Sequence, residues 1–250
     1  RPVALYLHPP LSTWCRLQDV HKVPVLSLYG PVHRQRDRGN VKSLKQIVFY
    51  TSVLLVLLST GPSFADGELQ IDRSRARKLE AWKPSIMNYS QRHYGEYTWQ
   101  LKPTCIVLHY TVSQGFPWNL VDTSSFAGET PGLAVHYVVD GDKIWEILPP
   151  NVRSRGCYGI NHRGINIEMV AMDAQDLAGR TKTLQTTARL TQHLMKKFSI
   201  PKKKIYSHQD VSLMDPARVP EVKDLVDGTP YYKIDPGPAN MQTVLRMLKD

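Results

Sequence analysis

The chain has 250 residues, 32 Lys/Arg against 22 Asp/Glu and a net charge of +10, enough for one domain of ordinary size plus extra segments. Positive charge of this size raises the question of an anionic partner such as nucleic acid. Residues 1–65, however, hold eight of the basic and two of the acidic residues, leaving 24 and 20 in a body of only about +4 with the two signs interspersed. Nucleic acid is therefore excluded as the expected partner.

Residues 1–40 contain scattered Pro and Arg, and the chain does not begin with Met. The segment 41–65 has Lys42 and Lys45 ahead of an apolar run over 47–58, then Gly61-Pro62 and the small residues Ser63 and Ala65. That is the layout of a secretory signal peptide, and the run is short of the roughly 20 residues that span a bilayer. A buried core helix would show a polar face, which this run lacks. The expectation is an exported protein, periplasmic or extracellular, with an uncleaved membrane anchor as the alternative for this run. A signal peptide would occupy 41–65, and 1–40 would be upstream sequence or a pro-segment, with Val41 as the natural start.

Residues 66–100 are polar, with a basic patch around 73–78, and are expected to form an N-terminal arm packed on a domain at 101–250. The run TCIVLH at 104–109 reads as a strand buried on both faces. A Gly/Pro/Ser/Thr-rich loop follows over 113–132. The runs 134–139 and 143–147, joined through Asp140-Gly141, predict a β-hairpin. A Gly-rich loop at 151–164 leads into a strand at 165–170. Apolar positions at Leu184, Ala188, Leu194, Met195 and Phe198, with Thr191 among them, predict an amphipathic helix over 183–198, stopped by Pro201. A short strand reaches His208, a long loop runs to DPGP at 235–238, and a final helix is expected over about 239–249. This order gives an α/β domain with a mixed central β-sheet flanked by helices.

Three residues stand where a strand end or stiff turn would hold them: His109, His208 and Asp235. Two histidines and a carboxylate, with a fourth position left open, make a catalytic rather than a structural zinc set. Spacing alone does not select them from nine histidines. Cys105 and Cys157 remain beyond the leader; export permits a bridge between them, and two unpaired buried thiols fit equally.

Five segments occur in order: IVLHYT (106–111), VHYV (135–138), GINIE (164–168), SHQD (207–210) and KIDPGP (233–238). Together they resemble the N-acetylmuramoyl-L-alanine amidases of the type 2 amidase family, related to T7 lysozyme and the peptidoglycan recognition proteins, over about residues 86–250. The resemblance implies a zinc site at strand ends with His109, His208 and Asp235 as ligands. It also implies Glu168 as the acid that activates or orients the attacking water, and Lys233 as the lysine that stabilises the oxyanion. Tyr110 is expected near the substrate, His162 either lining the substrate groove or as a solvent-exposed loop histidine, and His136 as a supporting residue rather than a ligand. The implied activity is cleavage of the amide between N-acetylmuramic acid and L-alanine, by a monomer acting on peptidoglycan or muropeptides without a nucleotide cofactor. A peptidoglycan-binding module that has lost catalysis is the alternative. Two departures stand out. Arg155-Gly156-Cys157 occupies a stretch where many relatives carry a histidine, and 27 positions separate His208 from Asp235. The charged, Pro-containing insertion over 215–229 is expected to rim the groove.

Overall fold

A computed structural model of the chain describes residues 69–121, 123–214 and 232–249. The expectations for 1–65 and for the insertion at 215–229 fall outside these residues. Strand β1 (Ile71–Asp72) precedes helix α1 (Leu79–Tyr94), strand β2 (Cys105–Tyr110) and the short helix α2 (Trp118–Val121). Next come the hairpin β3 (Tyr137–Asp140) and β4 (Lys143–Glu146), then β5 (Gly164–Met169), α3 (Ala174–Gly179) and α4 (Thr181–Phe198). Strand β6 (Ile205–Ser207), helix α5 (His208–Ser212) and helix α6 (Pro238–Met247) complete the described part.

The six strands form one mixed sheet in the order β1-β4-β3-β5-β2-β6, with only β3 and β4 antiparallel to each other. β2 and β5 are wholly apolar or buried because they lie inside the sheet with cover on both faces. Alternation along the strands sorts their side chains. Ile106, Leu108, Ile165, Ile167 and Met169 face the core made with Leu184, Ala188, Leu194 of α4 and Met241, Val244 of α6. Cys105 and Val107 face the other way, onto Cys157, Ile160 and Val211. Cys105 is a buried free thiol, so no bridge joins it to the buried Cys157, and burial pushes the Cys105 thiol up to about 11.

The expected hairpin is present: Asp140 pairs with Lys143 across a two-residue turn, and Gly141 takes φ +60 there, the sign such turns need. Helix α4 carries the 183–198 spacing and begins two residues earlier. Four helices are additions to the sequence reading: α1, α2, α3 and α5. Helix α1 lies in the segment expected as an arm. Trp82, Ile86 and Tyr89 pack it on Ala134, Leu148 and Val152, and the Trp82 indole N–H donates to the Arg153 carbonyl at 2.8 Å. Its repeat escapes a sequence scan because Pro84 lies inside it and polar residues surround the three apolar ones. Gly95, at φ +70, ends it by returning its N–H to the Gln91 and Ser90 carbonyls. Among the described residues no helix is long and apolar enough to cross a membrane.

Candidate metal centre

Three separate pieces of chain deliver His109, His208 and Asp235 to one point at the carboxyl end of β2. His109 is the fifth residue of β2, on the face shared with Val107. Strand β6 pairs Ser207 with Leu108, and helix α5 starts at the next residue. A reciprocal cap fixes that start: the Asp210 N–H donates to Ser207 Oγ at 2.9 Å, and the Ser207 N–H donates to Asp210 Oδ2 at 2.7 Å. The SHQD segment is thus a helix N-terminus that presents His208 from its first turn.

Asp235 is held by the turn that follows it. Its carbonyl accepts the Gln209 N–H at 3.2 Å. The Pro236 carbonyl accepts Asn240 Nδ2 at 2.9 Å, and the same amide donates to the Ala174 carbonyl at 2.8 Å. Gly237 stands at φ +89, where a Cβ would lie 2.9 Å from the Ala174 Cβ, so both conformation and space require glycine. Pro238 then opens α6 at its first position.

The donor atoms form a nearly equilateral triangle. His109 Nδ1 lies 3.0 Å from His208 Nδ1 and 3.2 Å from Asp235 Oδ2, and His208 Nδ1 lies 3.1 Å from Asp235 Oδ2. Tetrahedral ligands at about 2.0–2.1 Å from a zinc ion sit about 3.3 Å apart, so the triangle fits one face of such a tetrahedron. Both histidines are buried and the carboxylate nearly so. That donor set suits a divalent cation.

The charges are tightly coupled. Burial opposes charge on His109, but the hydrogen bond to Asp235 and the Glu168 carboxylate outweigh it and raise its pKa. Burial and the neighbouring His109 lower His208 to about 4. Burial favours a neutral Asp235, yet its two imidazole hydrogen bonds prevail and hold the carboxyl below the usual range.

Glu168 is the direct partner of His109 across the parallel β2–β5 pair. Burial pushes its carboxyl up to about 7, with His109, Asp235 and Lys233 as the charges acting on it. Its Oε2 is buried and accepts no hydrogen bond among the described residues. Lys233, two residues before Asp235, is half-buried; its N–H donates to Ser212 Oγ at 3.1 Å, and its charge acts on both Glu168 and His208. The structure therefore brings five of the sequence-derived residues together.

Tyr110 alternates to the opposite face of β2, against the α4/α6 core. Burial and the carboxylates of Asp235 and Asp173 raise its phenol. His162 is not brought to the triangle. It precedes the start of β5, at the far end of that strand from Glu168, and its ring lies 4.1 Å from the Tyr94 ring. Burial lowers it to about 4. His136 is wholly buried beneath the site. Asn166, quoted within GINIE but given no role from sequence, turns out to touch a ligand: its Oδ1 accepts from His109 Nε2 at 2.9 Å. The signal available in the sequence was its polarity in an otherwise apolar strand.

No curated protein sequence matches the chain. Among solved structures it is similar to the N-acetylmuramoyl-L-alanine amidase LysC from Clostridium intestinale URNW, at 23% identity over 48% of this chain and 83% of that one, with TM-score 0.39. It is similar to PlyL at 16% identity, over 71% of this chain and 97% of that one, TM-score 0.45. A mutant endolysin from Bacillus subtilis shows 18% identity over 58% and 87%, TM-score 0.41. The family model described as N-acetylmuramoyl-L-alanine amidase, Amidase_2, matches residues 99–238. That match takes in more than half of the 250 residues, among them His109, Glu168, His208, Lys233 and Asp235, and the chain belongs to this amidase family.

Proposed function

We propose that the protein hydrolyses the amide joining the lactyl group of N-acetylmuramic acid to L-alanine in peptidoglycan, with zinc held by His109, His208 and Asp235. The observation that carries this reading is the buried triangle of three donor atoms 3.0–3.2 Å apart, with a carboxyl on the adjacent strand position. When bound, zinc supplies a Lewis acid that lowers the pKa of water to roughly 7 and polarises the scissile carbonyl. Glu168 takes the proton of the attacking water and passes it to the departing L-alanine nitrogen. A carboxyl near neutrality with a lone buried oxygen suits both transfers. The Lys233 ammonium faces the oxygen that gains negative charge, in a site where such a charge is poorly screened.

The proposal includes export through the segment at 41–65, which puts a monomeric enzyme beside its polymeric substrate. The deciding experiment is digestion of purified peptidoglycan with and without a chelator, with products identified by mass. Release of intact stem peptides beginning with L-alanine, abolished by chelation, is the expected result. Binding to peptidoglycan without any release would overturn the catalytic reading in favour of a recognition module.

A further inference from the structure

We propose that Asn166 is a positioning residue for the metal centre, one that dictates which ring nitrogen of His109 is offered to the ion. The inference rests on the zinc reading above and assigns a role to a residue outside the ligand set. Asn166 is fully buried on β5, on the same face as Glu168. It lies beside the ligand strand, paired with Val107 and one step from His109.

The amide can take two orientations, and its surroundings select one. Asn166 Nδ2 lies 2.8 Å from Ser154 Oγ and 3.5 Å from the Gly164 carbonyl oxygen. A hydroxyl can accept from the amide nitrogen or donate to the amide oxygen, but a carbonyl oxygen only accepts. Turning Oδ1 toward Gly164 would set two acceptors against each other in a buried place, where the cost of an unmade hydrogen bond is full. The amide oxygen therefore points at His109 Nε2, 2.9 Å away. An acceptor there holds a proton on Nε2, so the neutral ring presents its Nδ1 lone pair toward His208 and Asp235. The reverse orientation would place the proton on Nδ1, where it blocks the ion.

The backbone of Asn166 is fixed with equal care. Its N–H donates to His136 Nδ1 at 2.9 Å, and its carbonyl accepts the His136 N–H at 3.1 Å. The His136 Nε2–H donates in turn to the Val152 carbonyl at 2.9 Å. His136 precedes the first residue of β3, so its imidazole takes the place of a strand partner for the Asn166 amide. The chain of bonds runs from the Val152 carbonyl through His136 and Asn166 to the ligand. Partners of this kind are worth about 10–100-fold in metal affinity.

Zinc affinity, measured by competition with a chromogenic chelator, tests this on the wild type, Asn166→Ala and Asn166→Asp, with thermal melting of each zinc-free form. The alanine variant is expected to bind zinc about 10–100-fold more weakly. The aspartate variant keeps an acceptor for His109 Nε2 and is expected to restore most of that loss. A folded alanine variant with wild-type affinity overturns the role of Asn166 alone, whereas a wild type that binds no zinc overturns the metal reading with it. If the alanine variant does not fold, the ring-nitrogen NMR spectrum of the zinc-loaded wild type decides. An His109 Nε2 proton protected from exchange and close to the Asn166 amide supports the role, and a freely exchanging one overturns it.

Discussion

His109 and Glu168 stand opposite each other in the register of β2 and β5, two neighbouring interior strands of the described sheet. Two rigid, fully covered strands thus fix a ligand and a carboxyl beside each other with no loop involved. This division of labour makes the residues separable by mutation, because Glu168 touches the reaction while the ion rests on three others. Glu168→Gln is expected to retain zinc at the wild-type stoichiometry while the rate of stem-peptide release falls by about 10²–10⁴-fold. Metal analysis of the purified variant beside its turnover checks both halves; loss of zinc would show that Glu168 supports the ligands instead.

Lys233 lies in the same turn as Asp235 but is assigned to developing charge. Replacement by Met, which keeps the apolar stem, is expected to lower kcat by about 10²–10³-fold with little change in KM. Steady-state kinetics on a soluble muropeptide separate the two constants. A change confined to KM would make Lys233 a binding residue only.

The turn at 235–238 depends on one glycine. Gly237→Ala forces a side chain onto φ +89 and within 2.9 Å of the Ala174 Cβ, at a cost of about 1–3 kcal/mol. The expected result is a lower Tm together with weaker zinc binding, because Asp235 moves with the turn. A variant with wild-type Tm and affinity would show that the turn adapts freely.

Buried His136 makes stability depend on acid. Burial depresses its folded pKa to about 4, below the ordinary 6.5. The unfolded chain therefore binds the extra proton first. The contribution is fully present above pH 6.5 and is lost as the pH falls toward 4, amounting to on the order of 3 kcal/mol. Urea unfolding at pH 7 and pH 4.5, with an NMR titration of the imidazole, checks the sign. An imidazole that titrates near 6.5 in the folded protein would contradict it.

Strands β2 and β5 and helix α4 are legible in the sequence because buried strands and a helix facing a sheet leave plain apolar patterns. The ligand set is legible only through its flanking motifs, since its members are spread over more than a hundred residues and no spacing rule joins them. Asn166 was out of reach because its role depends on strand alternation and on an amide orientation set by Ser154 and Gly164. His162 is six positions from Glu168 but stands in the turn before β5, and four steps of strand at about 3.3 Å each set Glu168 roughly 13 Å beyond the strand's first residue. Helix α1 was hidden for a different reason: its buried residues serve a local cluster with Ala134 and Val152, and Pro84 interrupts the expected pattern.

Zinc-dependent hydrolysis at His109, His208 and Asp235 is tested by the rate of stem-peptide release across a chelator-buffered series of free zinc concentrations, for the wild type and Asp235→Ala. The expected result is a single saturable rise for the wild type, complete at one zinc per chain, and a flat line near zero for the variant. Release by the wild type that does not change with free zinc, or equal curves for the two proteins, would contradict it.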